Sequence, residues 1–418
     1  MELWLPYGRT EIPVRIPDDN FYRIVEPTKP VGAKSVATLV ENALDNPVGG
    51  VHLRDMVKPG AQAGIIVDPI IPLEAWREAV NAITSRLSAM GVANTKVFVR
   101  KRLSVTDSTQ NDLQHLDPLQ NSFTEIGKTP MGTPVDLDPD LLTCEVKVMV
   151  SLAMPHFASG LTGGPAAVIP SSSSMRSIAK NRSLLTKGFP APLNTTDNPA
   201  LSDSFDACKL AGPIYNVTFL PDGLGGVTEV LSGELESVFR ESASNYDKAH
   251  SPRLERKLDI IVVSGGSLLG MDLYHAIRVI VNVLGALRKE GTIILVAECS
   301  RGIGDSTFLE YARRFPERKD LATELRHRFR LGGHVNLLLH DILERCRVQL
   351  VSVLPELFIR DTFNLKPSQT ASEAVQRAIR VEGKESKILV VPRGDFTVPI
   401  MESSSADKEA RNPTGLQA

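Results

Sequence analysis

Apolar and polar positions along this chain alternate between two periodicities, and the alternation outlines a fold. "MELWLPYG" and "EIPVRIP" flank a turn at Tyr7-Gly8-Arg9 and predict a β-hairpin. "VATLVENALDNPVGG" carries apolar residues near helical spacing and stops at Asn46-Pro47, with Gly49-Gly50 behind it. "AGIIVDP" is a short apolar run ending in Asp68, a buried strand by its length. "LEAWREAVNAITSRLSAMG" predicts a helix with early glutamates and a terminal glycine, and "TKVFVRKRL" predicts the next strand. Strand, helix and strand in succession imply a parallel sheet with crossover helices.

The pattern continues with "EVKVMVSLAM", an apolar strand that runs directly into His156. Residues Ser171 to Leu201 are rich in Ser, Asn and Pro and read as loop, with one helix near "MRSIAKN". "GPIYNVTFLPDGLGGVTEVLSGELESVFRESASNY" reads as strand, turn at Pro221-Asp222-Gly223, strand and helix. A second unit starts near Pro252. "KLDIIVVSGGS" is a strand ending in Gly-Gly, and "MDLYHAIRVIVNVLGALRKEG" an amphipathic helix closed by glycine. "TIILVAECSRGIG" is a strand entering another Gly-rich turn, and "VQLVSVLPE" and "KILVVPRG" are two later strands. The expectation is an α/β protein of two domains, 1–251 and 252–400, with mainly parallel sheets and a ligand cleft between them. The last strand is free in this reading to pack back on the first domain, and 401–418 is expected to be a disordered tail.

Composition narrows the function. With 418 residues, two domains are the natural division. Lys+Arg 47 against Asp+Glu 49 leaves a net charge of −2, which gives no footprint for a nucleic-acid partner. No apolar run approaches the ~20 residues that span a bilayer, and the N-terminus breaks into charge and proline too early for a secretory signal. Cys144, Cys208, Cys299 and Cys346 are widely spaced and form no CxxC pair, which fits a reducing cytoplasm. The partner expected is a small anionic metabolite.

The candidate chemistry sits at strand ends. His156 follows a buried strand, where it either serves as a base or hydrogen-bonds a loop. Gly160, Gly163 and Gly164 either let backbone N–H groups approach an anion or build a tight turn, and no GK[ST] follows them. Asp272, His275 and Arg278, spaced i, i+3, i+6, share one stripe of a helix. Asp272 complements the helix dipole, while His275 and Arg278 face either solvent or a cleft in which a guanidinium grips a carboxylate. Asp68 either orients a ligand or caps the next helix. "RKR", Arg100 to Arg102, either binds phosphate or is a solvated charge run.

The chain also resembles the nickel-pincer nucleotide-dependent lactate racemase family. The matching pieces are "ENALDNPVGG", "GIIVDPIIP", "MPHFASGLTGG", "LSGELESVF", "SGGSLLGMDLYHAIR", "KEGTIILVAECSRGIGD" and the closing strand "ILVVPRG", in that order and over nearly the whole chain. The resemblance implies two α/β domains with the site between them. It also implies hydride transfer between a hydroxy acid and a lysine-tethered nickel nucleotide, with two histidine bases and a carboxylate-gripping arginine.

Carried over residue by residue, His156 matches one base, and Thr162, Gly163 and Gly164 match a Ser-Gly-Gly of the family. The tethering lysine falls on Ala166 and the nickel-binding histidine on Arg182. The first motif keeps Asp68 but has Ile71 for its arginine, Ser104 is the nearest counterpart of the second base, and His275 and Arg278 replace a Gln and a Lys. Neither alanine nor arginine can tether or coordinate as the lost residues do, so the covalent nickel cofactor is not expected. The expectation is a divergent racemase- or epimerase-type enzyme for a small hydroxy acid. In it His156 and His275 handle protons, Arg182 and Arg278 clamp an anion, and Asp68, Asp272, Thr162 and the three glycines complete the ligand site. The competing expectation is a non-catalytic binding or partner-subunit relative.

Overall fold

The computed structural model describes residues 1–28, 35–68, 70–71, 73–100, 114–119 and 122–402. Two six-stranded sheets form the core of an α/β protein. In the first sheet the spatial order is Val227–Glu234, Ile214–Pro221, Val146–Leu152, Gln62–Val67, Asn94–Arg100, Gln114–Leu116. Every pairing in it is parallel except that of the outermost hairpin, Ile214–Pro221 with Val227–Glu234. Val146–Leu152 lies centrally and is buried at every position, as an unbroken apolar run covered on both faces must be.

The second sheet runs Lys366–Ser368, Arg347–Val351, Leu287–Val296, Leu258–Ser264, Ile388–Val391, Phe21–Ile24, and all its pairings are parallel. Its outer strand comes from the start of the chain, which differs from the 1–251 division expected from the sequence. Asn20 Nδ2 donates to the carbonyls of Lys384 (2.7 Å) and Ser386 (2.8 Å), and Val25 N–H donates to Val390 O (2.9 Å). The hairpin Glu2–Tyr7/Thr10–Arg15 accompanies that strand, placing Leu5 and Val14 in a core with Ala374, Val375 and Val390. A short-range turn signal cannot show which sheet a strand joins.

The closing strand Ile388–Val391 lies within the second sheet, between Leu258–Ser264 and Phe21–Ile24, and only the segment after it reaches the first unit. After Ile388–Val391, Phe396 enters the core built on the first sheet, and Tyr246 Oη donates to Phe396 O at 2.5 Å. Residues 403–418, which include most of the expected tail, lie outside the described residues.

One expected helix is shorter than its pattern. Leu273–Leu284 stops at Gly285, and "LRKEG" opens the strand Leu287–Val296 instead of closing the helix. The Arg288 guanidinium is pinned there between Asp259 (2.6 Å) and the buried Glu382, so tertiary ion pairing overrides local helical spacing. All four cysteines are buried and form no disulfide. Among the described residues no helix is long and apolar enough to cross a membrane.

Candidate functional site

The carboxyl ends of the first sheet open onto the second unit, where parallel α/β sheets bind ligands. A cavity of about 240 Å³ lies at that junction. Its wall takes Asp68, Arg100, His156, Thr162, Ala166 and Arg182 from the first unit, and Tyr274, His275, Arg278, Asp305 and His334 from the second.

His156 is placed by a tight return in which Pro155–His156 pairs with Gly160–Leu161. Gly160 has φ +73°, and a Cβ there would lie 2.2 Å from Asn194 O, so only glycine closes this turn. The imidazole Nδ1 accepts from the backbone N–H groups of Ala158 and Ser159, each at 3.2 Å, with Ser159 Oγ at 3.1 Å. Because a backbone N–H can only donate, the neutral ring carries its proton on Nε2. Burial holds the His156 pKa well below the usual imidazole range, and the positive Arg278 and Arg182 push it the same way.

His334, in the first turn of the helix Gly333–Leu343, repeats the arrangement. Its Nδ1 accepts from Gly332 N–H at 3.2 Å, and burial followed by Arg182 and Arg278 lowers its pKa to about 3. His275 is set the opposite way. Asp272 caps the helix Leu273–Leu284, accepts from the His275 backbone N–H (2.9 Å) and holds the ring Nδ1 at 2.8 Å. A carboxylate orients Nδ1–H toward itself and leaves Nε2 as the acceptor.

Arg182 projects from the helix Met175–Ser183 and is almost fully buried. Its Nη1 donates to Asn181 Oδ1 (2.6 Å), and Asn181 is fixed in turn by Asp203 (2.8 Å) and Ala200 O (2.9 Å). Among the described residues no carboxylate is within ion-pair range of Arg182. Burial, then the neighbouring Arg100 and Arg278, bring its pKa down to about 10, so it remains charged at neutral pH. Arg278 lies over the Phe157 ring, 5.5 Å from its centroid. Two carboxylates share the wall. Asp68 Oδ1 accepts from Ile70 N–H (3.1 Å) in the turn after its strand, and Asp305 caps its helix through Phe308 N–H (2.7 Å). Burial raises the Asp305 pKa.

The structure therefore brings Asp68, His156, Thr162, Arg182, His275 and Arg278 together on one wall, and it places the other candidates elsewhere. Gly160, Gly163 and Gly164 are not among the residues of this wall; Gly160 closes the turn before it, and a Cβ on Gly164 would lie 2.5 Å from Asn216 Nδ2. Asp272 stands behind His275 and does not reach the ligand space. Thr162 knits the loop, donating to Leu152 O (2.5 Å) and accepting from Met154 N–H (2.9 Å). Ile71 is core. Ser104, Lys101 and Arg102 lie outside the described residues.

Tyr274, Asp305 and His334 escaped the sequence reading. For His334 the available signal is "LGGHVN", where Gly332 adopts φ +94° beside Asp305.

The donor set does not fit a lysine-tethered nickel nucleotide. Ala166 offers a methyl group at the wall, no lysine lines the cavity among the described residues, and no three His, Cys, Asp or Glu side chains among them are placed to hold a metal.

Comparison with known proteins decides the lineage. Residues 7–189 match the lactate racemase N-terminal domain, and residues 254–398 match the lactate racemase C-terminal domain. The chain belongs to the lactate racemase family. Its relatives include the lactate racemase of Thermoanaerobacterium thermosaccharolyticum, 21% identical with 93% of this chain and 97% of the relative covered. The lactate racemase of Lactiplantibacillus plantarum is 22% identical over the same shares. The structure of the apoprotein of the Thermoanaerobacterium lactate racemase superposes with a TM-score of 0.83, covering 96% of this chain and all of that one at 20% identity. A Thermotoga maritima protein structure superposes at 0.65 with 14% identity, covering 90% of this chain and all of that one. The two-domain α/β architecture of the lactate racemase family is thus established for this chain.

Proposed function

We propose that this lactate racemase family member binds a small hydroxy acid or related anionic metabolite in the interdomain cavity and acts on it as an isomerase of the racemase or epimerase type, without the covalent nickel cofactor. Arg182 carries the reading. Leaving a guanidinium buried with one amide oxygen as its polar partner among the described residues costs several kcal/mol unless an anion completes its hydrogen bonds. A ligand carboxylate fits the planar fork of Arg182, with Arg278 adding charge from the facing helix. His275, held by Asp272, supplies an acceptor lone pair for a substrate proton. Asp68 orients the ligand from the first sheet.

The alanine at position 166 favours a second reading, a non-catalytic ligand-binding relative. One screen separates the two. Purified protein is offered a panel of hydroxy acids and epimerisable sugar acids, with melting temperature, chiral analysis and solvent-deuterium incorporation read in parallel. Turnover lost in His275→Ala supports the isomerase. Stabilisation that Arg182→Met removes, with no turnover for any compound, supports the binder. Absence of any Arg182-dependent stabilisation across the panel defeats the anion site itself. A lysine adduct found by mass spectrometry, with interconversion of D- and L-lactate, defeats the cofactor-free reading.

A further inference from the structure

We infer that, among the three histidines of the cavity, His275 is the base and His156 and His334 act as neutral hydrogen-bond donors to a developing oxyanion. This suits the site to proton transfer beside the carbonyl of a small oxo-carboxylate. The inference rests on the anion-binding reading above and adds the reaction class.

Where each ring keeps its proton decides what it can do. For His156 to accept a proton at Nε2, the hydrogen of the neutral ring would have to sit on Nδ1, pointing at two backbone N–H groups and the Ser159 hydroxyl. Only the Ser159 hydroxyl could accept that hydrogen, and the Ala158 and Ser159 backbone N–H groups would both lose their acceptor, so the backbone favours the tautomer with its proton on Nε2. The Gly332 N–H imposes the same choice on His334. No described residue hydrogen-bonds Nε2 of either ring, and both rings are cavity wall. Two buried imidazoles kept uncharged beside Arg182 and Arg278 can donate to an oxyanion without surrendering a proton. A neutral imidazole polarises a carbonyl in this way in triosephosphate isomerase, where a separate carboxylate is the base. Here the separate base is His275, its lone pair fixed outward by Asp272.

The step balances within the substrate. His275 Nε2 takes the proton from the carbon next to the carbonyl. The C–H electron pair becomes the C–C π bond, and the carbonyl π pair moves onto oxygen, which accepts from the Nε2–H groups of His156 and His334. For a hydroxy ketone, His275 returns its proton to the former carbonyl carbon while the hydroxyl proton passes between the two oxygens, giving the hydroxy aldehyde. No electron leaves the substrate, and no co-reactant is required. Asp272 is a positioning residue for this step and Arg182 holds the carboxylate.

Hydroxypyruvate is a suitable probe, because it joins a carboxylate, a ketone and an adjacent hydroxymethylene. In D₂O, proton NMR follows loss of the hydroxymethylene signal above the uncatalysed rate. The native protein is expected to accelerate exchange, with His275→Gln at least a hundredfold slower. His156→Gln, whose amide donates but is no base, should stay within about tenfold, and His156→Leu should lose about a hundredfold, as removal of one oxyanion donor does. Equal collapse of His156→Gln and His275→Gln would overturn the assignment by showing two bases. Should a variant misfold, ¹⁵N-histidine NMR of the native protein reads the tautomers directly, and a proton on Nδ1 of His156 refutes the inference. Exchange absent from native protein that hydroxypyruvate still stabilises through Arg182 would refute this chemistry and leave the anion site standing. Absence of both exchange and stabilisation would defeat this chemistry and remove the support the anion site draws from this probe.

Discussion

Arg182 is the residue whose environment makes the sharpest demand. A buried charge lacking a carboxylate partner lowers the stability of the empty protein, and an apolar replacement of similar length removes that cost. Arg182→Met is therefore expected to leave the melting temperature of the ligand-free protein unchanged or higher, while a carboxylate ligand loses at least tenfold in affinity. Calorimetric titration beside thermal melts checks both halves, and a large drop in ligand-free melting temperature would contradict this account. His156 and His275 were legible because they stand beside strand and helix boundaries that the apolar pattern marks, and Arg278 because it lies one helical turn beyond His275 on the same stripe. The meaning of Arg182 was not, since its amide partner among the described residues depends on Asn181 being held by Asp203, 22 residues downstream. His334 was still less accessible: "LGGHVN" marks a glycine turn before a helix, and the cavity beside it is completed from the first sheet.

At the level of elements, caps and turns carry the site, and their contributions can be separated. Asp272 both caps the helix Leu273–Leu284 and orients His275. Asp272→Ser keeps a capping oxygen and removes the carboxylate, so it should melt within about 1 kcal/mol of the native protein yet lose most turnover or exchange. Urea unfolding and rate measurements on one preparation test this. Gly160→Ala is expected to cost more than about 1 kcal/mol, because it adds a Cβ at positive φ against the Asn194 carbonyl. A midpoint unchanged in urea would show that the turn relaxes. The sequence made the βαβ succession readable because buried parallel strands are continuous apolar runs. It misplaced the end of the Leu273–Leu284 helix because the decisive partners of Arg288, Asp259 and Glu382, are distant along the chain.

For the molecule as a whole, buried histidines set the acid response. The His334 pKa falls to about 3 and that of His250 to about 4, and that of His156 also lies well below its usual value, in each case chiefly through burial. In the unfolded chain these rings titrate near 6.5. Their contribution to stability is complete above that value and is lost as pH falls toward the folded pKa values, because the unfolded state then binds more protons. Asp395 acts in the opposite sense: burial raises its pKa to about 7, so it takes up a proton on folding between roughly pH 4 and 7. The lowered His340 adds to the histidines and the raised Asp305 to the opposing carboxyl, and the histidines outnumber the carboxyls, so stability is expected to fall as pH drops from 6 to 5. Denaturant melts across that interval should show the fall, and replacing His334 by Gln should make it shallower. A flat profile would mean that water or counter-charges reach these rings.

The borrowed outer strand bears on the order in which the molecule is made. Residues 1–25 are made well before the elements they join: Phe21–Ile24 and the hairpin before it dock on Ile388–Val391 and on the helix Ala371–Glu382, far later in the chain. The intervening unit is in effect an insertion between two parts of the second sheet. A fragment beginning at residue 252 would expose the open side of Ile388–Val391 and a bare apolar layer, and such a fragment should aggregate unless residues 1–28 are supplied as a separate peptide.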